Sequence, residues 1–249
     1  MTLHRFYCPL PLATATHLDL PESAARHACR VLRLRSGDDL VLFDGSGGEY
    51  ACRIDTVGRD RVTVLVLEWL PVERESPLEI TLVQALQVGE KMDMTVQKAV
   101  ELGVSRIVPV TSRRSVMRLE GERAQRRVAH WRSVVASACE QCGRNRLPEV
   151  SEISGLESWL ATPVREDTWR LMLDPIASCC LGDLDVPSTG RKIDILIGSE
   201  GGLAPEELRA AEQAGFVGVR LGPRVLRTET AGLATLSAIQ TLWGDFRRG

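Results

Sequence analysis

The chain has 249 residues, 44% of them apolar and 26% charged, with a net charge of −2; this is an ordinary globular composition with enough apolar side chains for a sizeable core. No apolar run approaches the ~20 residues of a membrane span, and the start, Met1-Thr2-Leu3-His4-Arg5-Phe6, lacks the apolar stretch of a signal peptide, so a cytoplasmic protein with no membrane partner is expected. Seven cysteines at irregular spacing, with a single Cys-x-x-Cys at Cys139–Cys142, exclude a disulfide framework and offer no four-ligand metal site; they read as ordinary buried or half-buried thiols.

The first ~70 residues read as mostly β. Asp39–Asp44, Tyr50–Ile54 and Arg61–Leu67 are short runs broken by turns such as Gly45-Ser46-Gly47-Gly48, which predicts a small barrel. A short helix is predicted from Glu22 to Leu32. The charged stretch Pro71–Pro77 holds two prolines and reads as a linker. After it the period changes. Leu78–Val83 is a predicted strand, and Lys91–Leu102 a helix with Met92, Val96, Ala99 and Val100 on one face, stopped by Gly103. A strand over Val104–Val110 precedes a longer helix, Glu122–Gln141, whose Val128, Trp131, Val135 and Ala138 form one stripe. Strands at Leu171–Leu173 and Ile193–Ile197, a helix at Pro205–Ala214, a strand at Val217–Leu221 and a helix at Thr230–Leu242 follow. Strands alternating with helices predict a parallel α/β sheet covered on both faces.

Charge and glycine are distributed unevenly. Residues 111–150 carry nine arginines against four glutamates, while the whole chain has only Lys91, Lys98 and Lys192; a local basic excess is what a phosphate-binding face needs. Two glycine-bearing loops follow apolar strands near the C-terminus. One runs Ile197-Gly198-Ser199-Glu200-Gly201-Gly202-Leu203, the other Leu221-Gly222-Pro223-Arg224-Val225-Leu226-Arg227-Thr228-Glu229-Thr230-Ala231. In open α/β sheets ligands bind outside the carboxyl ends of the strands, and glycine lets a ligand approach the backbone closely. The first loop lacks Gly-Lys-Ser/Thr and Gly-x-Gly-x-x-Gly, so it is neither a P-loop nor a dinucleotide fingerprint.

These loops resemble those of the ribosomal RNA small subunit methyltransferase E family, of the SPOUT class. The resemblance runs nearly end to end. It includes Arg5-Phe6-Tyr7, the stretch from His27 to Asp38, Leu42-Phe43-Asp44-Gly45, the stretch from Lys91 to Val104, and Ala138–Arg144. It is most specific from Leu221 to Ala231. One departure is Ser199, where the family usually has Pro. The resemblance implies a PUA-like RNA-binding β-barrel over residues 1–72 and a SPOUT α/β methyltransferase domain over residues 73–249, with a parallel sheet and a deep trefoil knot. It implies a homodimer that uses S-adenosylmethionine to methylate N3 of a uridine in 16S rRNA of the small ribosomal subunit.

On that reading Leu173, Leu196, Gly198, Glu200, Gly201, Gly202, Leu221, Gly222, Val225 and Leu226 border the cofactor. Uracil N3 must lose its proton, and an arginine beside the carbonyl oxygens would stabilise the anion; Arg227 and Arg224 are the candidates. Glu229 is expected to act as base, to orient Arg227, or to meet the helix dipole. Arg5, Arg33, Lys91, Arg113, Arg114, Arg144 and Arg146 are candidates for RNA contact, since arginine grips phosphate bidentately. Aromatic residues are only 4% of the chain, so a broad stacking platform is not expected. Two other readings stay open: a non-catalytic RNA-binding protein with this fold, and an enzyme using another adenine-containing ligand.

Overall fold

The computed structural model describes residues 3–59, 61–185 and 192–246. In chain order the elements are β1 (His4–Tyr7), β2 (His17–Asp19), α1 (Glu22–Arg26) continued by a π-helical turn (His27–Val31), β3 (Asp39–Phe43), β4 (Glu49–Val57), β5 (Val62–Leu70), β6 (Glu79–Ala85), α2 (Lys91–Glu101), β7 (Arg106–Thr111), α3 (Gly121–Cys142), β8 (Glu149–Val150), β9 (Ser154–Gly155), α4 (Leu156–Leu160), β10 (Thr168–Leu173), a 3-10 turn (Leu181–Asp183), β11 (Lys192–Ile197), α5 (Pro205–Gln213), β12 (Val217–Val219) and α6 (Thr228–Leu242). They fall into two compact units, one of residues 1–75 with 136–147, the other of 76–135 with 148–249. Among the described residues no helix is long and apolar enough to cross a membrane.

The first unit is built on a five-stranded sheet of order β1-β3-β4-β5-β2. β1 runs parallel to β3 and the other pairs are antiparallel. Leu40 and Leu42, Cys52 and Ile54, and Val62, Val64 and Val66 alternate along their strands, so one face gathers them with Phe6 and with Ala24, Ala25 and Ala28 of the helix. The segment 136–147 adds a buried polar knot. Glu49 accepts hydrogen bonds from Arg5 and, at 3.2 Å, from Asn145, while Arg74 lies 3.4 Å away. Asn145 also accepts a bond from Arg5 and donates one to the Val72 carbonyl at 2.6 Å. Burial pushes the Glu49 carboxyl up, but Arg5, Asn145 and Arg74 outweigh it and leave the group below the usual range.

A carboxylate depressed in the folded state contributes stability that is complete above its unfolded pKa of about 4.3 and is lost as pH falls through the folded value. Glu49→Gln is therefore expected to cost this unit roughly 1–3 kcal/mol at neutral pH, with the penalty shrinking as pH drops through the depressed value. Urea titrations across pH check this, and a penalty that is flat with pH would contradict it. Burial pushes the Cys52 and Cys139 thiols up to about 12, which keeps both protonated at neutral pH.

In the second unit all strand pairs are parallel, in the order β12-β10-β11-β6-β7-β8, with β9 also on β7. Helices cover both faces, which is why β6 and β11 are buried along all but their first residues. On one face Val83, Val108, Val110, Met172 and Leu196 pack with Leu156 and Leu160 of α4 and with Ala211 and Phe216 at α5. On the other face α6 brings Gly232 against Leu82 and Ile197, and α2 packs on α6. α2 ends at Leu102 and Gly103, the latter at φ 81°; buried Gln240 of α6 donates to the Leu102 carbonyl at 3.0 Å and accepts from Ser76 at 2.9 Å.

One ion pair lies inside this sheet. Arg170 and Asp194 are register partners on β10 and β11, 3.3 Å apart, with side chains 4% and 7% exposed. The guanidinium also faces the rings of Trp159 and Phe216, at 5.4 and 5.0 Å, and donates to the Ala214 carbonyl at 2.9 Å.

Candidate functional site

The carboxyl ends of β10, β11 and β12 open onto one pocket of about 520 Å³. Its walls come from three loops. Leu173–Ile176 leaves β10, Ile197–Leu203 leaves β11, and Arg220–Arg227 leaves β12 and leads into α6. Leu173, Leu203, Leu208, Leu221, Val225 and Leu226 supply apolar surface, and Lys91, Glu200, Arg224, Arg227 and Glu229 supply charge.

The first glycine loop is a tight turn. The Gly202 N–H donates to the Ser199 carbonyl at 2.8 Å, and the Ser199 hydroxyl donates to the Gly202 carbonyl at 3.3 Å. Ser199 thus closes the turn with its own hydroxyl where relatives are expected to carry Pro. A Cβ on Gly198 would sit 2.9 Å from the Gly202 carbonyl carbon and 3.0 Å from the Leu203 nitrogen. Both are backbone atoms, so the turn itself must open to admit a side chain. Gly198→Ala is accordingly expected to weaken ligand binding in this pocket by at least about tenfold, read by calorimetry with S-adenosylhomocysteine. Unchanged affinity would show that the turn does not shape the pocket.

Charge at the pocket is paired around Lys91. Its ammonium lies 3.2 Å from Glu229 and 3.9 Å from Glu200, and Glu200 also accepts the Val88 N–H at 3.2 Å. The Glu229 carboxyl is held below its usual range by its own main-chain N–H, with Lys91 and Arg227 adding to that and outweighing burial. It is therefore an anion at neutral pH, suited to holding cations and weak as a base. Its Oε2 is buried and finds no hydrogen-bond partner among the described residues. The Arg224 and Arg227 side chains are exposed and make no ion pair or hydrogen bond among the described residues. Their guanidinium groups remain available to a ligand, whereas Arg114 donates to the Gly201 carbonyl at 2.9 Å.

Most of the residues singled out in the sequence meet here. Leu173, Gly198, Glu200, Gly202, Leu221, Gly222, Val225 and Leu226 line the pocket, with Arg224, Arg227 and Glu229. Leu196 does not: it is fully buried in the core, one residue before the strand end and on the opposite face from Ile197. Gly201 does not line it either; a Cβ there would press on Arg114 at 3.1 Å. Lys91 and Arg114, expected at RNA, line the pocket. Arg113 pairs with Glu157 at 2.7 Å in the open, and its N–H is held at 2.8 Å by buried Glu207, which also caps α5 through Ala204. Arg5 and Arg144 are 9% and 5% exposed and committed to Glu49 and Glu75, so neither presents a guanidinium to solvent. Arg146 pairs with Glu73 at 3.3 Å, and Arg33 stands exposed at φ 56°. Asp174, Pro175, Ile176 and Thr228 of the pocket were not anticipated; no glycine or charge pattern marks them. Among the described residues no group of three or more His, Cys, Asp or Glu is placed to hold a metal ion.

Residues 74–240 match the model of the RNA methyltransferase domain and residues 20–67 that of the RNA methyltransferase PUA domain. Ribosomal RNA small subunit methyltransferase E of Buchnera aphidicola (strain Sg) is 32% identical, covering 97% of both chains, and that of Mycobacterium bovis is 36% identical over 87% of this chain and 83% of its own. The chain belongs to the ribosomal RNA small subunit methyltransferase E family. A solved methyltransferase E from Neisseria gonorrhoeae, bound to S-adenosyl methionine, superposes with a TM-score of 0.92 at 43% identity, covering 98% of this chain and all of that one. A Legionella pneumophila methyltransferase in complex with the same cofactor gives 0.93 at 36% identity, over 99% of this chain. The methyltransferase E architecture anticipated from the sequence, a PUA-like domain followed by a parallel α/β domain, is the one found.

Proposed function

We propose that this protein uses S-adenosylmethionine to methylate N3 of a uridine in 16S rRNA of the small ribosomal subunit. The reading includes a cytoplasmic homodimer and a chain threaded through its C-terminal loops as a deep trefoil knot. The observation that carries it is the convergence of both glycine loops and the β10 loop on one pocket, in a chain of this family.

The pocket fits the cofactor on its own chemistry. Leucine and valine side chains offer apolar walls for an adenine ring, turns at Gly198 and Gly222 bring main-chain groups to the surface, and the orphaned Glu229 Oε2 is an acceptor for a ligand hydroxyl or ammonium. When bound, S-adenosylmethionine supplies a methyl group on a positively charged sulfur, already activated for transfer. The protein's tasks are then orientation and electrostatics. Leu173, Leu221 and Leu226 exclude water from the reacting centre. Arg227 and Arg224, without ion pairs at the pocket, stabilise negative charge on the uracil oxygens once N3 has given up its proton to solvent water. Lys91 and Glu229 neutralise each other, so neither distorts that balance.

The test is transfer of labelled methyl from S-adenosylmethionine to unmodified small subunits, with nucleoside analysis of the rRNA. A single labelled N3-methyluridine is expected. Label on another nucleoside would refute the position, and no label on subunits that a known methyltransferase E modifies would refute the activity.

A further inference from the structure

The second unit holds a chain of buried polar side chains that the reaction does not use directly. Gln84, Gln87 and Thr95 are fully buried and Thr228 is 7% exposed. The Thr95 hydroxyl donates to Gln87 Oε1 at 2.8 Å, and Gln87 Nε2 donates to Thr228 Oγ1 at 3.4 Å. Gln84 Nε2 donates to the same Oγ1 at 3.0 Å and to the Ala85 carbonyl at 3.0 Å. Thr228 Oγ1 in turn donates to the Gly198 carbonyl at 2.6 Å.

The direction of every bond is forced. A carbonyl only accepts, so the single Thr228 proton goes to Gly198 and both of its lone pairs face glutamine N–H groups. With both amide nitrogens pointing at Thr228, Gln87 presents its oxygen to Thr95. The result is a one-way relay from α2, past the end of β6, onto the first residue of the β11 loop, and such chains polarise one another in a dry interior. Thr228 also sits between Arg227 and Glu229, so one hydroxyl ties together both glycine loops. The relay carries a cost. Gln84 Oε1 is buried and has no partner among the described residues, a defect that a purely apolar filling would avoid.

We infer that Thr228, backed by Gln84, Gln87 and Thr95, is a positioning residue that sets the geometry of the cofactor pocket from the α2 side. The inference rests on the pocket's being the cofactor site proposed above, and the test separates the two. Thr228→Val keeps the shape and removes the hydroxyl; Thr228→Ser keeps the hydroxyl. Thr95→Val and Thr95→Ser repeat the comparison at a residue outside the pocket wall, and they carry the test if Thr228→Val does not fold. Two readouts are taken: hydrogen exchange of the amides of residues 198–204, and the Kd for S-adenosylhomocysteine. In Thr228→Val the loop amides are expected to exchange faster and Kd to rise by about tenfold or more; Thr95→Val shifts both the same way by less, and each serine variant restores them. Faster loop exchange in a protein whose wild type binds no S-adenosylhomocysteine would uphold the relay and remove the cofactor reading. Unchanged loop exchange in both valine variants, or serine variants as impaired as the valines, would overturn the inference. So would a fall in melting temperature with loop exchange and Kd at wild-type values, because that is what a merely structural residue gives.

Discussion

Replacing Arg227 by Ala is expected to lower methyl transfer by roughly 10²–10³-fold or more, with the fold intact. The reason is placement. The Arg227 side chain lies at the pocket, exposed and without a hydrogen bond or ion pair among the described residues, so its loss breaks no such bond and removes only its charge from beside Glu229. What is lost is positive charge beside an oxygen that becomes negative only as the reaction proceeds, an interaction that favours the transition state over the bound substrate. The affinity for S-adenosylhomocysteine should therefore change by no more than about threefold. Arg227→Lys keeps charge but not the forked geometry, and should recover part of the rate. Single-turnover assays on small subunits read this directly. Wild-type turnover in Arg227→Ala would remove the residue from the mechanism and leave Arg224 as the candidate.

Arg170→Ala acts on stability instead. Asp194 lies in the middle of β11 with its side chain 7% exposed, and truncating its partner strands a carboxylate in an apolar sheet. Breaking a buried pair in this way costs roughly 3–5 kcal/mol, a large share of the 5–15 kcal/mol typical of a folded domain. The contacts with Trp159 and Phe216 are lost as well. The expected result is a steep fall in the urea midpoint of this unit. Arg170→Met combined with Asp194→Leu should recover most of it, because the desolvated charge goes together with its partner. A loss below about 1 kcal/mol in Arg170→Ala would place the pair among solvent-screened ones, with Arg165, 3.7 Å from Asp194, able to take over.

What was legible in the sequence follows from how each element is buried. The strands of the parallel sheet stand out as apolar runs because both faces are covered, and the predicted strand over Ile193–Ile197 differs from the observed one by a single residue. The long helices are legible because a single face is buried; α3 extends one residue beyond its predicted span at each end. β1 and β2 carry too few residues for alternation to show, and α4 is a helix of five residues. The pocket was legible where glycine marks it. Leu196, expected at the cofactor, packs in the core while its neighbour Ile197 lines the pocket, and a run apolar on both faces does not say which of the two does so. The Lys91–Glu229 pair was not legible, because a helix-start lysine does not show what stands opposite. The Gln84–Thr228 contact joins residues 144 positions apart, and no local pattern announces it. The nine arginines of residues 111–150 divided for the same reason: folding buries Arg144 against Glu75, while Arg113, Arg132 and Arg146 meet their carboxylates at the surface.

The strand order has a consequence for the chain as it is made. β11 lies between β10 and β6, so one edge of β6 stays unpaired until Lys192–Ile197 has been synthesised, more than a hundred residues after Ala85. At ordinary elongation rates that is roughly 5–20 seconds. During it a strand made to be buried on both faces presents a bare edge, the kind of surface on which nascent chains pair wrongly. The ribosome that this protein is proposed to modify is also where its own sheet waits longest to be completed.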